Sequence, residues 1–325
     1  MTISVETILL TTLVPLLIYS LVLYISENIL LKYIEKYSKY YSNWKEHYLL
    51  LYTVGLASAL QSFLPSLLLT INGNSKLGYY LQLYNVLLDF TVTLGIFILI
   101  FDFEKNIIDR NLLFLITIAF LSHLIFIVIG KIGFVEGSIL YAIFLIISVY
   151  LLLKYREDRI FIRKSKNKLK EYIKAILYSF EIAFAASIIY LGGNIINNVA
   201  NTLLKLNLSI PLIAFAISII LFTLPDILYG HISWVKKRDI NISLSSIFGE
   251  ELAIFTIFTG IIGMANPIIF GVEDIFPITL SMLTILLSIT VLYILSYKRK
   301  MPKLAGLILI IIGISIGFLN NMVGT

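Results

Sequence analysis

The feature that most constrains this chain is a series of ten long apolar runs that fill most of its length. A membrane-spanning helix needs about 20 mostly apolar residues. The chain has 325 residues, of which 59% are hydrophobic, whereas soluble domains are about 45–50% apolar. We therefore predict an all-α integral membrane protein with ten transmembrane helices. The predicted spans are 7–31, 48–71, 77–101, 111–130, 136–154, 172–192, 209–230, 243–264, 275–296 and 304–321.

Basic residues alternate in number between the connections that join these spans. If the connections are numbered one to nine, the odd ones contain 22 of the 25 Lys and Arg, and the even ones contain three. Positively charged loops stay in the cytoplasm. We therefore predict a multi-pass protein of the cell membrane with both termini extracellular. The most basic connection, 154–174, is predicted to lie against anionic lipid, so the partner is the lipid bilayer and not nucleic acid.

Three polar motifs occur twice, in the same order and at offsets of 166, 160 and 161 residues. Two related halves with an odd number of spans must insert with opposite orientation, which is the inverted-repeat plan of many transporters. We predict a first five-helix repeat at 1–154, a basic cytoplasmic linker at 155–171 and a second five-helix repeat at 172–325. The paired motifs are 24–29 with 190–195, 62–67 with 222–227, and 85–89 with 246–250.

Acidic residues deep inside the spans indicate a functional site, because an unpaired charge in the membrane is costly. Asp89, Asp226 and Glu250 lie in spans three, seven and eight, which contain no deep basic residue. A bound cation would relieve the repulsion between these carboxylates, and hard cations such as Na⁺ or Ca²⁺ take oxygen ligands. We predict that the three carboxylates bind a cation near the midplane. Neutral oxygen ligands are predicted from Ser62, Ser66, Asn85, Thr93, Thr223, Ser245 and Ser246.

Other polar or helix-breaking positions lie close to these acids. Pro65 and Pro225 are predicted to break their helices and expose backbone oxygens. Glu251 follows Glu250 and is a further candidate ligand, although it points about 100° away around the helix, towards a different neighbour. Polar contacts between helices are predicted for Glu27, Glu181, His123, Asn194, Asn197, Asn198 and Asn201.

The segments around these residues resemble the sodium/calcium exchanger family of the cation/calcium antiporter superfamily. That family has two inverted repeats, each with a G-[T/S]-S-x-P-E element followed by a G-N-x-x-G-S-N element. Segments 64–67 and 84–89 are similar to the first repeat, and segments 223–228 and 245–251 to the second. Segment 191–211 is similar to the lead-in of the second repeat.

The resemblance implies an antiporter in which spans two, three, seven and eight enclose the site and spans one and six move across them. In the family the glutamate after each proline binds Ca²⁺, and a serine of the second element lines the Na⁺ sites. In this chain the glutamate positions correspond to Ser66 and Asp226, the serine positions to Asp89 and Glu250, and a further polar position to Thr93 and Ile254. By this resemblance, acidic residues have moved from the proline elements to the facing helices.

Several functions stay open at this point. Because Ser66 replaces a family glutamate, a proton-coupled or other-cation exchanger is an alternative to Na⁺/Ca²⁺ exchange, and so is a protein that has lost transport. From other classes, an intramembrane lipid-modifying enzyme would need paired aspartate motifs that these spans do not contain. A non-transporting scaffold is the remaining alternative. No cofactor is expected, and the transported cations would be Ca²⁺, Na⁺ or H⁺.

Overall fold

The fold is helical, with helices that match most of the apolar runs. The structure is a computed structural model that describes residues 9–38, 46–100, 110–154, 189–190, 192–228, 241–296 and 302–322. Within these residues, seven helices are long and apolar enough to cross a membrane. The helices are α1 (Val14–Ser38), α2 (Glu46–Ile71), α3 (Ser75–Ile100), α4 (Arg110–Ile129), α5 (Phe134–Lys154), α6 (192–205), α7 (Ile210–Leu228), α8 (241–265), α9 (Val272–Leu295) and α10 (Lys303–Met322).

The predicted class of all-helical membrane protein is confirmed, whereas the number of crossings stays a prediction. Two helices extend beyond the ends of the predicted spans, at span one and at span six. Helix α1 continues to Ser38, beyond the apolar run, because a helix does not end where the hydrocarbon layer ends. Residues 192–205 form α6, although they were predicted to be mostly connection. Residues 172–188 of the sixth span and the linker 155–171 lie outside the described residues.

In the described part of the chain, three turns of π-helix interrupt helices and a fourth precedes α1, and one of the three lies just before Pro225. A π turn widens the hydrogen-bond ladder by one residue. Pro225 follows such a turn, and α7 stays helical through it, while α2 is helical through Pro65. The predicted helix breaks at these two prolines are therefore wrong. The π turns are Leu9–Leu13 before α1, Asp89–Thr93 in α3, Ile219–Thr223 in α7 and Ile254–Phe258 in α8.

Side-chain hydroxyls surround Pro65 and bond to carbonyl groups of its own helix. Ser66 Oγ donates to the Ser62 carbonyl at 2.8 Å, and Thr70 Oγ1 donates to the Ser66 carbonyl at 2.8 Å. Hydroxyl donors of this kind commonly support proline-containing helices in membranes, where water cannot replace lost backbone bonds. Helix α2 continues through Pro65 with these two bonds beside it, although neither reaches the Gln61 carbonyl, which is the group that Pro65 leaves without its helical donor.

Glycines bring the helix backbones into close contact where the two predicted halves meet. A Cβ atom at Gly55 of α2 would lie 2.3 Å from the Gly249 Cα of α8. A Cβ at Gly95 of α3 would lie 2.6 Å from the Gly306 carbonyl oxygen of α10. Small residues allow such close packing, which drives helix association in lipid. Helices of the two halves are thus interleaved rather than side by side.

The helix contacts occur in the pairs that the predicted repeat requires. The repeat relates α2 to α7, α3 to α8, and α5 to α10. Helix α2 packs on α8, and α7 packs on α3; likewise α5 packs on α8, and α10 packs on α3. The α5–α8 contact is also built on glycine, because a Cβ at Gly137 would lie 2.4 Å from the Gly260 carbonyl oxygen. These contacts support the repeat, which itself stays a prediction.

Contacts near the ends of the described helices join the second, fourth and eighth connections to one another, and the edge of the third connection to the edge of the ninth. A small antiparallel sheet joins the fourth and eighth connections, with β1 (Lys131–Ile132) pairing with β2 (Ile268–Ile269). The second connection joins them through Ser75 Oγ, which donates to the Pro267 carbonyl at 3.3 Å. At the other end, Arg110 Nη2 donates to the Ser296 carbonyl at 3.2 Å. Which end faces the cytoplasm stays a prediction, and Trp44 and Trp234 lie outside the described residues.

Candidate cation site

Three acidic side chains from three different helices meet inside the helix bundle. Asp89 begins the π turn of α3, Asp226 follows Pro225 in α7, and Glu250 lies in α8. One carboxylate oxygen of each residue lies within 4.8 Å of the other two. The residues are 0%, 7% and 1% exposed, respectively. The structure therefore brings together the three acids that the sequence singled out.

The spacing of these oxygens is compatible with a cation of the size of Ca²⁺. Two oxygens that bind one Ca²⁺ at 2.3–2.6 Å can be at most about 5.2 Å apart, and the observed spacing is within that limit. Among the side chains that the structure describes, no lysine or arginine is buried. The negative charge of the cluster is therefore not neutralised by a buried basic side chain from the described part of the chain.

Neutral donors hold the carboxylate of Glu250. Asn85 Nδ2 donates to Glu250 Oε1 at 2.7 Å, and Ser62 Oγ lies 3.4 Å from the same oxygen. The single hydroxyl hydrogen of Ser62 is also shared with the Ala59 carbonyl, at 3.1 Å. Both residues were predicted to be ligands, but in this structure their donor atoms orient Glu250. The side-chain oxygen Oδ1 of Asn85 has no hydrogen-bond partner and could still bind a cation.

The other two carboxylates have one neutral donor each in the same manner. Gln61 Nε2 of α2 donates to Asp226 Oδ1 at 3.2 Å. Thr93 Oγ1 donates to Asp89 Oδ1 at 3.0 Å, across the π turn of α3. Thr93 was predicted to supply an oxygen ligand, and it supplies a donor. These bonds fix the carboxylates in place without removing their charge.

Ser66, at the family glutamate position, belongs to a separate hydrogen-bonded group beside the carboxylates. Its hydroxyl donates to the Ser62 carbonyl and accepts from Gln82 Nε2 of α3 at 2.9 Å. Thr223 lies in the π turn before Asp226, where its hydroxyl is 3.4 Å from the Ser218 carbonyl. Their roles as ligands stay predictions. Ser245 and Ser246 lie in α8, and their side chains are outside the described part of the structure.

Glu251 is a fourth buried acid in the cluster. It is fully buried, and its carboxyl group lies within hydrogen-bonding distance of the Asp89 carboxyl group. The expectation that Glu251 faces a different neighbour is therefore wrong. The π turn Asp89–Thr93 starts at the residue that Glu251 contacts. Helix α3 thus presents Asp89 to two consecutive acids of α8.

Two glutamines of the site were missed in the sequence. Gln61 contacts Asp226, and Gln82 contacts Ser66. Both are almost fully buried, and their side-chain oxygens Oε1 have no hydrogen-bond partner. The available signal was helical spacing, since Gln82 lies three residues before Asn85 and Gln61 lies one turn before Pro65.

Among the remaining predicted polar positions, the structure describes contacts of His123 and of the asparagines of α6. His123 is buried in α4, and its Nε2 atom is 3.1 Å from the Tyr79 hydroxyl, so its predicted polar contact is confirmed. In α6, Asn201 Nδ2 donates to Asn197 Oδ1 at 3.5 Å within the same helix. Glu181 and the side chain of Glu27 lie outside the described part of the structure.

Comparison with known proteins shows the fold. No protein-family model and no curated protein match the chain. Among solved structures, the chain is similar to the sodium-calcium exchanger NCX_Mj soaked with 10 mM Na⁺ and zero Ca²⁺, with a TM-score of 0.65 and 15% identity over 95% of this chain and 98% of that chain. NCX_Mj soaked with 2.5 mM Na⁺ and 0.1 mM Ca²⁺ gives a TM-score of 0.63 and 15% identity over 96% and 98%. The chain therefore has the fold of this exchanger.

Proposed function

We propose that this chain is a secondary active cation antiporter with alternating access around the Asp89, Asp226 and Glu250 carboxylates. The observation that carries the proposal is the meeting of these three acids, from α3, α7 and α8, within 4.8 Å. The fold likeness supports it, because NCX_Mj is a sodium-calcium exchanger.

The physical reason is the cost of the cluster without a positive charge. Two unit charges 4 Å apart repel by about 4 kcal/mol at an effective dielectric constant of about 20. Three buried carboxylates repel in three pairs, and the donors Gln61, Asn85 and Thr93 are all neutral. A cation removes this repulsion when it binds, and its departure restores it. The site is therefore stable only when it is occupied by positive charge, which is what an obligatory exchanger needs.

Helices α1 and α6 are the elements that move in this proposal. The Tyr19 hydroxyl of α1 donates to the Ile189 carbonyl, just before α6, at 2.6 Å. The ring of Tyr19 fills the space beside Gly192, where a Cβ atom would lie 1.6 Å from it. These contacts join α1 to α6. The α1–α6 pair therefore moves as one unit against α2 and α7, which border the carboxylates.

Na⁺ and Ca²⁺ are the ions that we propose first, by analogy with NCX_Mj. Proton-coupled exchange or exchange of another cation is the alternative, because Ser66 supplies no carboxylate while Asp89 and Glu250, at the family's serine positions, add two. The solved structures that the chain resembles are transporters and not enzymes. We place the protein in the cell membrane, with its termini outside.

The proposal is tested by ion flux in vesicles that contain the purified full-length protein. Radioactive Ca²⁺ or Na⁺ is followed while a Na⁺ or proton gradient is imposed. We expect gradient-driven uptake by the wild type and at least a roughly tenfold loss in Asp89→Asn. Loss of an outer neighbour of a metal ligand already costs about 10–100-fold in affinity.

Glu273→Gln is the matched control, since this acidic side chain is 69% exposed and contacts Lys76 far from the cluster. Its flux should equal that of the wild type. Absence of flux for every cation and gradient, or equal flux in wild type and Asp89→Asn, would refute the antiporter.

A further inference from the structure

Glu251 differs from the other three acids of the cluster in its hydrogen bonds. Asp89, Asp226 and Glu250 each accept a bond from a neutral donor. Glu251 is fully buried, yet neither of its carboxylate oxygens has a hydrogen-bond donor. Buried polar atoms without a partner are rare and need a physical explanation.

The unpartnered oxygens of Glu251 face another unpartnered oxygen. Asp89 Oδ2 also lacks a donor, while Asp89 Oδ1 accepts from Thr93. The two carboxyl groups are within hydrogen-bonding distance of each other. Three acceptor oxygens therefore converge between α3 and α8, beside the cluster that Asp89 forms with Asp226 and Glu250. Acceptor-only oxygens at one point are the ligands that a hard cation needs.

The charge of the whole cluster points to more than one cation. Asp89, Asp226, Glu250 and Glu251 carry four negative charges when ionised, and the described part of the chain places no buried lysine or arginine near them. One divalent cation leaves two of these charges uncompensated. Two divalent cations balance all four.

We propose that the site binds two divalent cations together, the first between Asp89, Asp226 and Glu250 and the second between Asp89 and Glu251. This inference rests on the proposed cation site and extends it. Asp89 bridges the ions, with one oxygen directed to each. Ions that share bridging ligands lie about 3.5–4 Å apart. Both cations therefore enter and leave through the same movement, and they exchange as a pair.

The test counts and locates bound Mn²⁺, which prefers the same oxygen ligands as Ca²⁺. Purified full-length protein is equilibrated with Mn²⁺, the bound metal is measured by dialysis, and its electron paramagnetic resonance spectrum is recorded. We expect two Mn²⁺ per chain and the spectrum of an exchange-coupled pair. Glu251→Gln keeps the size of the side chain and should leave one Mn²⁺ with an uncoupled spectrum.

The control Glu273→Gln should keep two coupled Mn²⁺ ions, and thermal unfolding shows whether each variant is folded. One uncoupled Mn²⁺ in the wild type would overturn the second site. If Glu251→Gln then also binds one uncoupled Mn²⁺, a proton and not a second cation fills the gap between Glu251 and Asp89. In that case gradient-driven flux would still support the antiporter. Absence of both Mn²⁺ binding and flux would remove both proposals.

Discussion

Gln61, Asn85 and Thr93, which donate to the carboxylates, are neutral, and this matters for the proposed cation site, which would bind and release an ion. A lysine or arginine would orient a carboxylate equally well, but it would also cancel the charge that attracts the ion. Asn85 Nδ2 orients Glu250 through a bond of 2.7 Å and leaves the charge of the carboxylate in place. Outer residues of this kind set the direction of metal ligands and influence affinity strongly.

The substitution Asn85→Leu should lower cation affinity roughly 10–100-fold. It removes the shorter of the two polar contacts to Glu250 Oε1 and leaves Ser62 at 3.4 Å. The carboxylate then loses its fixed direction while its charge is unchanged. Calorimetric titration of the purified protein with Ca²⁺ or Na⁺ measures the effect.

Asn320→Leu is the control, because Asn320 is an equally buried amide that donates to Tyr84 and Ser281 and not to a carboxylate. We expect it to lower thermal stability and to leave cation affinity intact. Equal losses of affinity in both variants would show that Asn85 acts only through the stability of the fold.

For single residues, the sequence predicted that Asp89, Asp226 and Glu250 lie together, but it did not predict which side chains donate hydrogen bonds to them. The depth of Asp89 and Glu250 in their spans was visible from hydropathy. The position of Glu251 depends on which side of α8 faces α3. The distance between α8 and α2 is set by the contact between Gly55 and Gly249. The role of Gln61 depends on a contact with a residue 165 positions away.

Among the helices, glycines allow direct backbone contact at particular points, in addition to the packing of large side chains. Gly95 of α3 meets Gly306 of α10, and Gly137 of α5 meets Gly260 of α8. The predicted repeat exchanges these two contacts. Any side chain at these points must separate two helices, because the obstacle is a backbone atom that cannot rotate away.

Gly95→Ala and Gly137→Ala should each destabilise the protein by about 1–3 kcal/mol, the usual cost of overpacking. The added methyl group would lie 2.6 Å from the Gly306 oxygen in the first variant and 2.4 Å from the Gly260 oxygen in the second. Thermal unfolding in detergent measures the loss.

Gly133→Ala provides the comparison, since a Cβ there would lie 3.3 Å from the flexible carboxylate of Glu136 and 4.0 Å from Pro267, which is an ordinary contact distance. It should unfold close to the wild-type temperature. A Gly95→Ala protein as stable as Gly133→Ala would mean that α3 and α10 are not in backbone contact.

Hydropathy located most helices, but it was misleading where a helix contains several polar residues. The sixth span was predicted to end at residue 192, although polar contacts between helices were predicted for Asn194 and Asn197, and residues 192–205 form a helix in the structure. Pro65 and Pro225 were expected to break their helices by a local rule. Helix α2 nevertheless continues through Pro65, and α7 continues through Pro225 after the π turn Ile219–Thr223.

For the molecule as a whole, the contacts between connections support the alternation of the chain across the membrane. The second, fourth and eighth connections meet at one end through β1, β2 and Ser75. The third and ninth meet at the other end through Arg110. The charge count assigns the first end to the outside.

Labelling of single cysteines tests this orientation in a chain that has no cysteine of its own. Asn72→Cys lies in the second connection, and Ser165→Cys lies in the basic linker. In intact cells, a membrane-impermeant maleimide should label the first, and it should label the second only after permeabilisation. Labelling of both from one side would contradict the alternation.

The interleaving of the two halves has a consequence for the order of biosynthesis. Once α1 to α5 have entered the bilayer, Gly95 still lacks Gly306, and Asp89 still lacks the acids of α7 and α8. Those partners arrive only with the last third of the polypeptide. The first half must therefore wait in lipid as a loose intermediate with an unmatched acid, and the ribosome has nearly finished before the tertiary structure can close.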